Sequence, residues 1–285
     1  MSVEVPRNHW GQPLIIPPGG GKPVPYQRAS SFGDVLDDKS NLEKYLRRKV
    51  MRGLANRPDL LLAAATTPDE EKGALNRIAE DAIEAAGGSE KATIGTSLHR
   101  LTELLDAGAD LPPYPQQYDA DLVAYRAATE PFEHVAIERF VVNDELRVAG
   151  TPDRVSWHTA PLQFEGLTLP PALRIGDLKT GGHAAYLGKY AVQLAIYSRS
   201  QFYDPETGER TPILGPESDW FVGPAEVDQH WGVIFHAEAG TGTCNLYALD
   251  LQAGWEGALL AADVRAWRKR KGLAVIEQHE QEVAA

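Results

Sequence analysis

Hydrophobic spacing changes period at Pro131. Before it, apolar residues recur every three or four positions, as on one face of a helix. After it, they alternate or run in short stretches, as in strands. The spacing predicts a helix from Asp37 to about Ala55, through Leu42, Tyr45, Leu46 and Val50. A second is expected over Pro68 to Ala86, with Thr67 as N-cap and Gly87 as its stop. A third starts near Thr96 or Ser97, buries Leu98, Leu101, Leu104 and Leu105, and ends at Gly108. Beyond Pro131, strands are expected at Val135 to Val142, Leu146 to Trp157 and Leu173 to Leu178, with a turn at Asn143-Asp144 and a proline-bearing loop over 160–172. Helical spacing returns from Tyr186 to Phe202. Two closing strands, Trp231 to Ala237 and Cys244 to Leu251, join through Gly-Thr-Gly-Thr, and a last helix covers Trp255 to Lys271.

This order predicts an α/β fold: a small mixed central sheet flanked by helices, plus a helical N-terminal region. Residues 11–25 are rich in Pro and Gly and read as an extended arm without regular structure. The expected division is an arm at 1–25, a helical region at 26–92, a core at 93–271 and a polar tail at 272–285.

At 285 residues the chain is long enough for a full core without staples. Its apolar runs, such as Leu60 to Ala65, are too short to span a bilayer, and MSVEVPRNHW lacks the apolar centre of a secretory signal. A single cysteine, Cys244, excludes an intrachain disulfide and any cluster held by several of the chain's own thiolates. A cytoplasmic protein without membrane partners is expected. Gly19-Gly20-Gly21-Lys22 is followed by Pro23, so it does not meet the spacing of a phosphate-binding loop.

With 28 Lys+Arg against 40 Asp+Glu, the formal charge is −12. Binding to nucleic acid through backbone charge alone normally goes with a basic chain. Contact with nucleic acid therefore requires a local basic groove or metal ions that screen carboxylates. Two basic clusters offer such a groove, Arg47, Arg48, Lys49 and Arg52 on one helix and Arg268 to Lys271 on another. Either could equally be a solvated face.

The residues that carry chemistry are Asp153, Asp177 and Lys179. Asp153 closes Gly150-Thr151-Pro152-Asp153, late in a strand; Asp177-Leu178-Lys179 ends the next strand and runs into Thr180-Gly181-Gly182. Residues i and i+2 of a strand share a face, so Asp177 and Lys179 project together. If the strands pair, Asp153 joins them. Two carboxylates beside a lysine suit Mg²⁺ or Mn²⁺ and a nucleophilic water, although an isolated D-x-K is also an ordinary surface ion pair. Gln193 and Tyr197 are four apart on a helix and need polar partners if buried. A substrate phosphate or a metal-bound water would serve, and an exposed Gln–Tyr pair is the alternative. His99 and Glu103 share a face one residue off the leucine stripe. Glu138, acidic in an apolar strand, could reach the same place. His230 and His236 would share a strand face, with no acidic ligand beside them. Trp220, Trp231, Trp255 and Trp267 read as packing residues rather than base-stacking platforms.

Taken in order, an upstream helix with His99, then G-T-P-D, D-L-K-T-G and Q-L-A-I-Y resemble the RecB-type branch of the PD-(D/E)XK nuclease superfamily. Tyr26-Gln27-Arg28-Ala29-Ser30, Leu36-Asp37-Asp38 and Leu42 are also similar to the N-terminal region of stand-alone RecB-like exonucleases of bacteriophages, so the likeness covers residues 26–271. The resemblance implies a restriction-endonuclease-like core and a metal-dependent deoxyribonuclease. By this likeness it is an exonuclease in phage recombination or DNA processing, in the cytoplasm of a host cell. It implies that His99, Asp153, Asp177 and the Leu178 carbonyl hold Mg²⁺ or Mn²⁺. Lys179 would orient or deprotonate the attacking water, and Gln193 and Tyr197 would position the scissile strand. Its partners would be DNA and a recombinase or annealing protein, and it could form homo-oligomers. The four cysteines that hold an iron–sulfur cluster in some members are absent, and there is no helicase motif. A structure-specific endonuclease, or a silent nuclease fold binding DNA ends or a recombinase, are the alternative readings.

Overall fold

In the computed structural model, residues 4–88, 90–181, 187–217 and 224–272 are described. A small hairpin comes first, β1 (Leu14–Ile15) against β2 (Val24–Pro25), followed by β3 (Gln27–Arg28) and the short α1 (Ala29–Phe32). Then come α2 (Ser40–Asn56), α3 (Pro58–Thr66), α4 (Lys72–Ala85), α5 (Glu90–Asp106) and α6 (Asp119–Thr129). Seven strands follow: β4 (Glu133–Ile137), β5 (Val141–Asn143), β6 (Val148–Gly150), β7 (Arg154–His158), β8 (Leu162–Phe164), β9 (Leu167–Leu169) and β10 (Ala172–Lys179). The remainder is α7 (Leu187–Ser198), β11 (Gln201–Tyr203), β12 (Arg210–Thr211), β13 (Leu214–Glu217), β14 (Pro224–Glu226), β15 (Trp231–Glu238), β16 (Thr243–Asp250) and α8 (Leu251–Arg268). The fold is mixed α/β.

The central sheet has the order β16-β15-β10-β7-β4. Only β10 and β15 run parallel, and α7 lies between them in sequence. Alternation along the strands sorts side chains to two faces. On β15, Ile234 joins one core with α7 and α8 residues such as Leu194, Ile196 and Ala258. Val233 and Phe235 join another with Leu98 and Leu101 of α5 and Leu122 and Tyr125 of α6. The result is three layers, with α7 and α8 on one face and α5 and α6 on the other. A second sheet, β12-β11-β5-β6-β3, sits beside the first.

Several expectations change. Residues 11–25 do form regular structure: the hairpin is closed by paired strands, with Gly20 and Gly21 at positive φ in its turn, and Ile15 is fully buried. The Ile16 N–H donates to Tyr203 Oη at 2.9 Å, which ties the arm to the second sheet. The strand expected at Val135 to Val142 is two strands in two sheets, broken at Glu138, whose φ is +48°. Likewise Leu146 to Trp157 breaks over Thr151-Pro152-Asp153, so Asp153 lies in a link between β6 and β7 rather than late in a strand. The proline-bearing loop contains the β8–β9 hairpin. Helix α5 begins at Glu90, earlier than expected. Thr67 is not an N-cap: its hydroxyl donates to the Ala63 carbonyl at the end of α3, a helix the sequence reading did not separate, and α4 begins only at Lys72. Helix α6 was likewise not anticipated, and the span expected as one helix to Phe202 ends at Ser198 and yields to β11. Asp250 caps α8 through the N–H groups of Gln252 and Ala253, so that helix starts before Trp255. The stripe of α2 is not well covered, with Leu42 49% and Tyr45 43% exposed. Trp231 and Trp255 are partly buried, whereas Trp267 is 58% exposed. Tyr186, Gly182, Trp220 and nearly all of the tail lie outside the described residues.

Candidate metal centre

Strands β7 and β10 pair antiparallel, with Gly176 opposite Arg154. One step further stand Asp177, on β10, and Asp153, in the link just before β7. The Leu178 N–H donates to Asp153 Oδ2 at 2.7 Å, which locks the link that carries Asp153 onto the end of β10. Asp177 is 1% exposed and forms an ion pair with Lys179, as their shared strand face requires. Lys179 also sits 4.6 Å over the Tyr190 ring.

Two helices close on this corner from opposite faces. From α7, Gln193 Nε2 donates to Asp177 Oδ1 at 3.1 Å and lies 3.5 Å from Tyr197 Oη. Both side chains are buried, and their polar partners come from the protein itself, Asp177 for Gln193 and the Thr151 backbone for Tyr197. From α5, His99 Nε2 lies 3.1 Å from Asp153 Oδ2 and 3.8 Å from Glu138 Oε1. His99, Glu138 and Asp153 can each bring one ligand atom to a common point. Glu103, on the same helix face as His99, pairs with Arg100.

Two glycines make these approaches possible. A Cβ on Gly150 would come 2.7 Å from Tyr197 Oη, and one on Gly95 would come 2.5 Å from Thr180 Oγ1. Gly95 therefore lets α5 rest on the loop after β10. That loop is held from the other side by His236, whose Nε2 is 2.6 Å from the Gly181 carbonyl. His230 lies in the turn before β15, off the strand that carries His236.

The electrostatics separate the carboxylates. Burial, reinforced by the charge on Asp153, pushes Asp177 up to about 7. Burial and Asp153 do the same to Glu138, also to about 7. Burial would raise Asp153 as well, but the hydrogen bond and charge of His99, with Lys179 behind them, hold it below the usual carboxylate range. The bond to Asp153 in turn raises His99 above an ordinary imidazole. Crowding acidic groups in low dielectric is costly unless a cation joins them. Glu138 Oε1 is buried without a hydrogen-bond partner among the described residues, and its backbone is held at positive φ by the Glu138 N–H bond to the Asp153 carbonyl at 3.1 Å. Oxygen-rich donors with one imidazole, one of them unsatisfied, fit a divalent cation such as Mg²⁺ or Mn²⁺.

The centre opens into a cleft of about 660 Å³ whose lining includes Arg7, Arg28, Lys189 and Ser30 as well as the carboxylates. A neighbouring groove of about 810 Å³ carries Glu4, Glu103, Glu138, Glu206 and Glu209 with Arg7 and Arg139. The basic cluster on α2 is partly engaged elsewhere: Arg47 pairs with Glu43 and Lys49 donates to the Ala86 carbonyl. Arg7, Arg28 and Lys189 were not singled out as a group in the sequence, because they are scattered along it and no spacing links them. No helix among the described residues is long and apolar enough to cross a membrane. No protein-family model matches the chain, and no curated protein matches it.

Proposed function

We propose that the chain is a metal-dependent deoxyribonuclease with a restriction-endonuclease-like core, hydrolysing phosphodiester bonds as an exonuclease in DNA processing. The observation that carries the reading is the meeting of Asp153, Asp177, Lys179 and His99 at one end of β10, in a cleft that also holds arginines. His99, Asp153, Asp177 and Glu138 would hold Mg²⁺ or Mn²⁺, with the Leu178 carbonyl assisting. The cation supplies Lewis-acid stabilisation and a more acidic water.

The chain's own groups do the rest. Lys179, drawn to Asp177, presents a positive charge where negative charge develops on the phosphate, and no reorganisation is needed at that moment. Gln193 fixes the rotamer of Asp177 by donating to Oδ1, and Tyr197 holds the Thr151 backbone beside Asp153. Arg7 and Arg28 would take the phosphates of the entering strand, with Lys189, which pairs with Asp34 at 2.5 Å, beside them.

The change of sign across the site favours a strand end as substrate. A continuous strand crossing the centre would have to lay phosphates along the glutamates of the adjacent groove, whereas a terminus needs only the cationic cleft. An endonuclease is the second reading. The protein would work in the cytoplasm, with a recombinase or annealing protein to receive the product strand. End-labelled linear DNA and closed circular DNA, incubated with Mn²⁺, Mg²⁺ or EDTA, test this. Short products from linear DNA with metal only are expected, and absence of cleavage with every metal would overturn the nuclease.

A further inference from the structure

Beneath the metal centre lies a buried polar cluster that the proposed chemistry does not use. Asp106, the last residue of α5, accepts from three elements. Tyr125 Oη of α6 donates to its Oδ2 at 2.6 Å, Arg154 Nε of β7 reaches the same oxygen at 2.5 Å, and His134 Nε2 of β4 is 3.4 Å from Oδ1. His134 Nδ1 lies 2.8 Å from Ser156 Oγ. Tyr125 and Arg154 are 0% exposed and Ser156 is 1%.

The cluster sits where it controls the ligands above it. Asp106 follows His99 by two helical turns, so both project from one face of α5. Arg154 follows Asp153 directly, and its Nη1 donates to the Asp153 carbonyl at 2.7 Å. The same nitrogen is 3.9 Å from Glu138 Oε1. The helix that brings His99 and the link that brings Asp153 are thus tied by a bond between their neighbours. A buried ion pair is poor evidence for stability, since apolar side chains of equal volume serve as well. What a charged fork adds is a fixed distance and angle between the elements it joins.

We propose that Asp106 and Arg154 are positioning residues of the metal centre, a cross-brace that sets helix-borne His99 against strand-borne Asp153. The proposal rests on the nuclease reading only in taking those two side chains as metal ligands. Groups that orient ligands from behind commonly change metal affinity by about 10–100-fold when removed.

The test measures Mn²⁺ binding to the full chain by titration calorimetry, alongside thermal melting and DNA cleavage. Asp106→Asn and Arg154→Lys are compared with Asp228→Asn. Asp228 pairs with the buried Arg174 at the other end of β10, away from the centre. The expected result is a Mn²⁺ midpoint raised at least tenfold in Asp106→Asn, a smaller rise in Arg154→Lys, which keeps the charge but loses the fork, and no shift for Asp228→Asn despite its lower melting temperature. Tyr125→Phe, which removes one donor to Asp106 and keeps the ring, gives a milder version if Asp106→Asn does not fold. A folded brace variant with the wild-type midpoint would overturn the brace, as would an equal shift in Asp228→Asn. Wild type that binds Mn²⁺ yet leaves DNA intact would sink the nuclease and leave the brace to be judged on binding. Wild type that binds no Mn²⁺ overturns both.

Discussion

The Leu178 N–H donates to Asp153 Oδ2 at 2.7 Å, so the carboxylate of one motif is held by the backbone of the next. That bond places Asp153 beside the end of β10 that carries Asp177. It also binds the carboxylate in its ionised form, which fits a low pKa for Asp153 next to a raised one for Asp177.

Asp177 carries charge at a cost to the fold. Asp177→Asn should abolish metal-dependent cleavage while the metal-free protein still folds, because the amide oxygen still accepts from Gln193 and the lost ion pair with Lys179 is offset by relief of a buried acid beside Asp153, leaving the melting temperature within a few degrees of wild type. Calorimetric melts in EDTA, paired with a gel assay in Mn²⁺, check this. Full activity in the variant would refute the site assignment.

Without metal, Glu138 and Asp177 keep protons in the folded state up to about pH 7, whereas the unfolded chain releases them near ordinary carboxylate values. The folded state then binds more protons between about pH 4 and pH 7, so this contribution to stability is present in acid and fades as pH rises through 7. Melting in EDTA should fall from pH 5.5 to pH 7.5 by a few degrees. Glu138→Gln should flatten that slope; an unaltered slope would show that Glu138 is an ordinary carboxylate.

Gly150 matters for what it lacks. In Gly150→Ala the new methyl would press on Tyr197 Oη from 2.7 Å, and the tyrosine is too buried to step aside. A loss of about 1–3 kcal/mol is expected from overpacking. Activity should fall further than stability explains, because Thr151 and Asp153 follow directly. Urea unfolding and single-turnover cleavage measure the two effects separately.

The cations of the cleft and those of α2 can be set against each other. Arg7→Glu with Arg28→Glu should weaken DNA binding and lower the slope of log affinity against log salt by about 2. Arg47→Glu with Arg48→Glu should do less, since Arg47 already pairs with Glu43. Fluorescence anisotropy across a salt series reads both, and the reverse order would move the DNA path onto α2.

The pairings of Asp177 with Lys179 and of Gln193 with Tyr197 were legible in the sequence because strand and helix periods fix which neighbours share a face, and that geometry is local; the strand period misplaces Asp153, which lies in the link between β6 and β7. Local spacing also gave the closing β15–β16 pair and the end of α5, which stops at Asp106 just before Gly108, where φ is +65°. The break at Glu138 was not legible: Val135 to Val142 is continuously strand-like, and only pairing with two different sheets forces the positive φ that turns Glu138 toward His99. Nor could spacing show that residues 11–25 form a hairpin, since its partners Tyr203 and Arg210 come from the far side of the chain.

The amino-acid sequence by itself thus determined which near neighbours share a strand or helix face, Asp177 with Lys179 and Gln193 with Tyr197, through periodicities that act over a few residues. Only the tertiary structure decided that His99 and Glu138 come together with Asp153, that Arg154 bonds Asp106 behind them, and that Arg7, Arg28 and Lys189 share one cleft. Those relations depend on how helices dock across a sheet, and docking is set by burial summed over the whole core rather than by any one segment.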